Sequence, residues 1–172
     1  MDNKVEFSVA TSDKTKEVIA GVNVDEHQDM FRKYREEKDQ EVENLTELYS
    51  SIHDLANLKH QFYQIRQKLV SKKFELQEIA DGIGRNFKHQ KRDITKSYIL
   101  GQRQVQKNSA ISLKNKDERD TFHEADLRHT IWFMEVLDNQ INWTIDTLKT
   151  VDNLIFGLPY AIELEAKYKT SI

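Results

Sequence analysis

A long stretch of this sequence, residues 25–80, contains neither proline nor glycine. Its apolar residues follow a seven-residue spacing that Glu41 interrupts: Tyr34, Leu48, Leu55, Phe62, Leu69 and Leu76. A second, drifting line runs beside the first: Phe31, Leu45, Ile52, Leu58, Ile65 and Ile79. Apolar residues that repeat in this way predict a long α-helix with a narrow seam that packs against another helix.

Both ends of this helix carry signals in the sequence. Asn23 and Asp25 supply capping side chains, and Gln28 lies three residues after Asp25, as in a capping box. The segment Asp81-Gly82-Ile83-Gly84 ends the helix in this interpretation, because glycine readily adopts the left-handed conformation of a helix C-cap. We therefore expect one long helix over residues 23–81.

Residues 116–156 predict a second long helix, and Asn115 is its expected N-cap. One face carries a seven-residue spacing: Leu127, Met134, Ile141, Leu148 and Ile155. Another face is also apolar: Trp132, Val136, Trp143 and Leu154. A helix with two apolar faces needs more cover than one partner provides. The second face therefore indicates an oligomer interface or a bundle of three or more helices.

The end of the second helix is predicted from Gly157 and Pro159, which disfavour helix continuation. The sequence beyond predicts a short amphipathic helix over residues 159–170. In it, Ile162 and Leu164 are available to pack or to contact a neighbouring subunit, and Tyr160 is a further candidate for such a contact.

The fold class follows from these elements and from composition. One proline and five glycines in 172 residues are few for a β-sandwich or a doubly wound α/β fold. We expect an all-α protein, a long antiparallel, coiled-coil-like helical hairpin with a short C-terminal helix. Residues 1–22 are expected to be a flexible tail and residues 23–172 a single helical domain, with 82–115 as an irregular basic connector.

Charge is distributed unevenly along the chain. The net charge is −3, yet residues 85–119 hold 10 Lys and Arg against 3 Asp and Glu. A basic middle between acidic ends attracts a polyanion locally even in an acidic chain. The alternative is a solvated loop, or a loop that pairs with the acidic ends.

Nucleic-acid binding is the function that this basic region favours. Cationic side chains contact phosphates and release counterions. Phe87 and Tyr98 could stack on unpaired bases, or they could pin the connector to the helices. The chain lacks zinc-finger, RRM and KH signatures, so we do not expect sequence-specific reading of duplex. The predicted binding residues are Lys72, Lys73, Arg85, Phe87, Lys88, Lys91, Arg92, Lys96 and Tyr98.

The sequence gives little indication of catalysis or of a bound cofactor. There is no cysteine and no P-loop, G-x-S-x-G or dinucleotide-binding motif. His53 and His60 stand about 10 Å apart along a helix, too far for one ion. His123, Asp126 and His129 do not form H-E-x-x-H or a di-iron set. We expect that the protein binds no metal or cofactor and is not an enzyme. A ferritin-like or other helical enzyme is the third alternative.

Location is predicted from two further patterns. No apolar run approaches 18 residues, so no segment is predicted to span a membrane. The first residues lack the apolar region of a secretory signal. We expect a cytoplasmic protein, in the host cytoplasm if it is viral.

A further indication comes from the last third of the chain. Glu124-Ala125-Asp126 near the start of the last long helix is followed, after a long interval, by Tyr160-Ala161-Ile162-Glu163. Together with the charged helical first half and the basic middle, this layout resembles the UvsY family of phage recombination mediators. The chain departs from that family in its extra N-terminal tail, and in Asp81–Arg85, where the family has a Tyr-Tyr-Ser-Gly turn.

This resemblance implies a ring-like homo-oligomer that binds single-stranded DNA. Such mediators help a strand-exchange recombinase to displace the single-strand-binding protein. The basic residues after the first helix would line the DNA path, while the helix of Trp132 and Trp143 and the terminal helix would form oligomer contacts.

Two functions are therefore expected. The first is a single-stranded DNA-binding accessory protein of recombination or repair, in which several weak basic sites hold one strand by avidity. The alternative is an oligomeric coiled-coil scaffold or adaptor, for instance in phage assembly, whose basic region docks on an acidic protein.

Overall fold

The computed structural model describes residues 7–49, 55–99 and 116–169. Within these ranges the chain forms five α-helices and no β-strand, which confirms the all-α prediction. The helices are α1 (Asp13–Ile19), α2 (Val24–Tyr49), α3 (Leu55–Ile99), α4 (Lys116–Asp126) and α5 (Arg128–Lys169). The part of the predicted connector over residues 100–115 lies outside the described residues.

The N-terminal segment packs on α3, which corrects the expected flexible tail for residues 7–22. Ser12 caps α1, because its hydroxyl accepts a hydrogen bond from the backbone N–H of Thr15 at 3.3 Å. Before the cap, the backbone N–H of Ser8 and the hydroxyl of Thr11 donate to Asn86 Oδ1, at 3.0 and 2.7 Å. Polar contacts hold the part of the segment before α1, and the buried side chain of Ile19 anchors α1 itself.

Two helices replace the single helix predicted over residues 23–81. As expected, Asn23 begins α2, since its side-chain oxygen accepts from the N–H of Asp25 at 3.1 Å. Lys68 of α3 lies 3.6 Å from Glu41 of α2. Seven residues earlier on α2 is Tyr34, whose ring centre lies 5.6 Å from Nζ of Lys72, four residues further along α3. Contacts that run in opposite directions make the two helices antiparallel.

The glycines at 82 and 84 lie inside α3, so the predicted helix end at Asp81–Gly84 is wrong. Glycine in a helix interior costs about 1 kcal/mol relative to alanine. At position 82 the missing side chain makes room for α1, since a β-carbon there would lie 2.9 Å from Cγ2 of Ile19. Tertiary packing thus outweighs the local signal to stop.

The second predicted helix divides near its start and extends beyond its predicted end. Leu127 separates α4 from α5, and α5 continues through Pro159 to Lys169, so the separate helix over 159–170 is not formed. Proline lacks the N–H that would bond to the preceding turn. Leu158 next to it is fully buried in the core, and this packing holds the helix in place.

The chain forms two compact units rather than one domain. Unit 1 comprises residues 1–27 and 77–138 and unit 2 comprises residues 28–76 and 139–172. Unit 1 packs α1, the second half of α3, α4 and the start of α5 around buried apolar residues: Ile19, Ile83, Ile94, Leu127, Phe133 and Leu137.

Unit 2 is a bundle of three helix segments, from α2, α3 and α5. Its core consists of Leu45, Leu58, Phe62, Ile65, Leu69, Val151 and Leu158. Arg66 of α3 donates to Asp152 of α5 at 2.6 Å, which joins two of the segments at the rim. A bundle of three helices is one of the two arrangements that the two apolar faces of the second predicted helix indicate.

Candidate nucleic-acid interface

A stripe of cations runs along the second half of α3. Arg85, Lys88, Arg92 and Lys96 repeat every three or four residues, which places them on one side of the helix. All four side chains are exposed, and none has a carboxylate within ion-pairing distance among the described residues. By helical rise the four positions, here called the basic stripe, extend over about 16 Å.

Lys91 and Phe87 lie on the flank of the stripe that faces α4. Lys91 Nζ is 3.6 Å from Oδ1 of Asp120 and 5.3 Å from the ring centre of Phe87. The ammonium covers one face of this half-buried ring. Phe87 is therefore less open to a nucleic-acid base than the sequence suggests.

The remaining predicted residues do not extend the stripe. Lys72 and Lys73 belong to unit 2. Lys72 pairs with Glu75 at 2.7 Å, and Lys73 is half-buried. The side chain of Tyr98 lies outside the described part of the molecule.

His123 and Asp120 complete a cluster beside the stripe that sequence analysis did not find. His123 is 7% exposed, and its Nε2 atom lies 2.9 Å from the hydroxyl of Thr95 on α3. Its Nδ1 atom has no hydrogen-bond partner and lies 3.7 Å from Asp120 Oδ1. The three-residue spacing of Asp120 and His123 on a helix is a signal that could have paired them.

The described residues around this cluster do not form a candidate metal centre. The described ranges contain no group of three or more His, Cys, Asp or Glu side chains that could hold a metal ion. His53, one of the histidines weighed for a metal, lies outside those ranges.

The predicted oligomer residues are divided between core and surface. Trp143 packs in unit 2, with its ring centre 5.5 Å from that of Phe31 and 5.8 Å from the guanidinium of Arg35. Leu154 packs against the same core, and Val136 is half-buried. Trp143 and Leu154 therefore pack within unit 2, and a role of these positions in an oligomer stays a prediction.

Fewer of the predicted oligomer residues are exposed at the surface. Trp132 is 38% exposed and Tyr160 is 70% exposed. The side chain of Ile162 lies outside the described residues. Phe156 and Leu164, which share the four-residue spacing of Tyr160 on α5, are 87% and 42% exposed.

A second polar site lies between α2 and α3 in unit 2. A groove of about 780 Å³ is lined by Tyr34, Gln64, Gln67, Lys68, Ser71, Lys72 and Glu75. The buried Lys38 Nζ lies 5.6 Å from the ring centre of Tyr34 and 2.7 Å from the carboxylates of both Glu37 and Glu41. Because lysines and glutamates pair here, the groove offers no net charge to an anion.

Three of the groups in this site have pKa values shifted from their usual ranges. Burial raises the pKa of the Tyr34 hydroxyl to about 12. Burial by itself would lower the pKa of Lys38, but the hydrogen bonds to Glu37 and Glu41 outweigh it and leave this pKa above its usual value. The hydrogen bond from Lys38 lowers the pKa of Glu37.

Comparisons with protein-family models, with curated proteins and with solved structures find no match to this chain. None of the helices over the described ranges has the length and apolar character needed to cross a membrane. The basic stripe of α3, whose four cations have no carboxylate partner in the described part of the chain, is the feature of this all-α protein that bears most directly on function.

Proposed function

We propose that this protein binds single-stranded DNA through the basic stripe of α3, as an accessory protein of recombination or repair rather than as an enzyme. The observation that carries the proposal is the stripe itself, four exposed cations without a carboxylate partner in the described part of the chain. Like charges three or four residues apart destabilise a helix by about 0.2–0.5 kcal/mol per pair. A phosphate backbone along the stripe would remove this repulsion and release counterions.

The biological role rests on the resemblance to the UvsY family. In this role the protein assembles as a homo-oligomer and helps to load a strand-exchange recombinase where a single-strand-binding protein occupies the DNA. Each subunit contributes one short stripe, and several linked stripes hold one strand far more tightly than one does. The preference for a single strand over duplex also rests on that resemblance, because a basic stripe attracts either form of DNA.

Fluorescence anisotropy with a labelled poly-dT oligonucleotide, with duplex as the comparison, tests the proposal. Between about 50 and 200 mM salt, four phosphate contacts predict a slope of log affinity against log salt near −3, at about −0.7 per contact. The double variant Lys88→Gln/Arg92→Gln should weaken binding and make the slope shallower by about 1.4.

A matched control removes two cations that already have partners. Arg32 pairs with Asp29 at 2.9 Å and Lys149 pairs with Asp146 at 2.8 Å, each on its own helix. Arg32→Gln/Lys149→Gln should leave the slope unchanged. Absence of binding at low salt, or equal loss in both double variants, would refute the proposal.

The exposed apolar residues of α5 favour the second candidate function, an oligomeric scaffold or adaptor. Phe156, Tyr160 and Leu164 form a surface row that a protein partner or another subunit would bury. Under this hypothesis, Phe156→Ser/Tyr160→Ser lowers the oligomer mass in sedimentation experiments, while changes in the basic stripe have no effect. An unchanged mass would count against it.

A further inference from the structure

The buried ring of His123 lies between two oxygen atoms from different helices. Its Nε2 atom is 2.9 Å from the hydroxyl oxygen of Thr95 on α3, and its Nδ1 atom is 3.7 Å from Oδ1 of Asp120 on α4. Thr95 donates its single hydroxyl proton to the backbone carbonyl of Lys91, at 2.9 Å. While the hydroxyl of Thr95 donates to that carbonyl, both oxygen atoms that face the ring act as acceptors.

The protonated ring alone has a hydrogen for each acceptor. Neutral imidazole carries one N–H, whereas imidazolium carries two. In the neutral ring one of the two contacts has no hydrogen to donate. At 3.7 Å from Asp120 Oδ1, Nδ1 makes no hydrogen bond in this structure. Protonation supplies that hydrogen and places a positive charge opposite the carboxylate of Asp120.

Asp120 also holds a cation of the candidate interface. Lys91 Nζ lies 3.6 Å from the same Oδ1 atom that faces His123. Lys91 directly precedes Arg92 of the basic stripe. Imidazolium and ammonium would therefore compete for one carboxylate oxygen.

We propose that His123 is a proton-controlled regulator of nucleic-acid binding, an inference that rests on the proposed function. When His123 takes up a proton, it engages Asp120, and Lys91 is released to join the basic stripe as a fifth cation. Among the described residues, the charged groups that the structure shows around the ring are Asp120 from α4 and, through Asp120, Lys91 from α3. Binding to a polyanion thus tightens on acidification from pH 8 to pH 6, the range in which histidines commonly gain charge.

Anisotropy with poly-dT at pH 8 and pH 6, in about 0.1 M salt, tests this regulation. One added phosphate contact multiplies the affinity by the molar salt concentration raised to the power of about −0.7. At about 0.1 M salt this factor is about fivefold. The wild-type protein should bind about fivefold more tightly at pH 6. His123→Gln should keep the weaker pH 8 affinity at both values.

Asp120→Asn makes the complementary prediction. Asp120 is partly exposed, so the nearly isosteric amide should preserve the fold, and circular dichroism of each variant checks this. Without its carboxylate partner, Lys91 is available at every pH. This variant should bind at pH 8 as tightly as the wild-type protein does at pH 6.

His89 supplies the matched control, because it is another histidine of α3 and lies next to Lys88 of the basic stripe. His89→Gln should retain the fivefold response. A response that survives in His123→Gln and vanishes in His89→Gln would overturn the inference, as would binding that is equal at the two pH values. Absence of binding in every variant at both pH values would instead refute the proposed function, and this inference with it.

Discussion

Gly82 of α3 lies directly against Ile19 of α1, because a β-carbon at position 82 would come within 2.9 Å of Ile19 Cγ2. Ile19 is fully buried, and its branched β-carbon leaves the methyl group little freedom to move away. Gly84 is in the same helix, yet a β-carbon there would have nothing within 4 Å. A comparison of the two positions therefore distinguishes two effects. Gly84 shows the cost of a glycine within a helix, and Gly82 shows in addition the benefit of a close contact between helices.

We expect Gly82→Ala to lower the free energy of unfolding by about 1–3 kcal/mol, since overfilling a packed contact costs that much. Gly84→Ala should raise it by up to about 1 kcal/mol, because alanine is the better helix former. Urea unfolding followed by circular dichroism measures both. Similar changes in the two variants would show that the contact with Ile19 is unimportant.

These glycines also mark a limit of sequence analysis. The seven-residue spacing correctly predicts the seam of α3, where Phe62, Leu69 and Leu76 are fully buried. The same spacing reaches Ile83, which is also fully buried, but the glycines on either side of it conceal that the helix continues. That continuation depends on α1, which lies more than 60 positions earlier in the sequence.

The buried residues of α5 lie on a different seven-residue series from the predicted one, and the reason differs from that for α3. Leu137, Thr144, Val151 and Leu158, at seven-residue intervals, are fully buried, whereas Met134, Ile141, Leu148 and Ile155 are half-buried. The polar Thr144 hides the true line. Its hydroxyl donates to the backbone carbonyl of Gln140 at 2.8 Å, so the residue enters the core with its hydrogen bond satisfied.

The candidate interface could be predicted only in part. Charge content located its cations, and helical spacing would have grouped four of them once α3 was known to continue. The partner of Lys91 is Asp120, on another helix. A single sequence gives the types of charged residues, but it does not give the pairs that form between distant helices.

The ion-pair cluster around Lys38 gives a second prediction. Lys38 is 1% exposed, and its Nζ lies 2.7 Å from Glu41. Lys38→Met leaves that partly buried carboxylate with Lys68 at 3.6 Å, and we expect a loss of about 2–4 kcal/mol in unfolding free energy. Lys149→Met, which breaks an exposed pair, should cost less than about 1 kcal/mol. Recovery of stability in Lys38→Met/Glu41→Leu would confirm that the unpaired charge is responsible.

Acid should weaken the same cluster. The hydrogen bond from Lys38 lowers the pKa of Glu37 below its ordinary value. A lowered pKa stabilises the fold above the unfolded value, about 4.3, and this contribution is lost as the pH falls through the folded value. The stability difference between the wild-type protein and Glu37→Gln should therefore shrink below about pH 4. Urea midpoints at neutral and acidic pH measure it, and a constant difference would contradict the assignment.

Tyr34 should contribute to the loss of stability of the fold at alkaline pH. Burial raises its pKa to about 12, while an unfolded tyrosine ionises near pH 10. The fold is therefore more stable below about pH 10, and this contribution is lost as the pH rises toward 12. The hydroxyl has no hydrogen-bond partner, so Tyr34→Phe should change stability at neutral pH by less than about 1 kcal/mol. The variant should also lose stability less steeply above pH 10; an equally steep loss would exclude Tyr34 as its source.

The two tryptophans of α5 should respond differently to truncation. Trp143 packs edge-on against Phe31, with ring centres 5.5 Å apart, and lies beneath Arg35 in the core of unit 2. Trp132 is 38% exposed and contacts His129 on its own helix. Trp143→Ala should lower the unfolding free energy by about 3–5 kcal/mol, and Trp132→Ala by less than about 1 kcal/mol.

Thermal unfolding and sedimentation together separate this expectation from the oligomer interface predicted for both residues. A core role for Trp143 requires that its truncation destabilise the subunit at every protein concentration. If Trp143→Ala instead melted as the wild-type protein does and lost only its oligomer mass, the side chain would belong to a subunit interface. In that case the contacts of Phe31 and Arg35 with Trp143 would contribute little to folding.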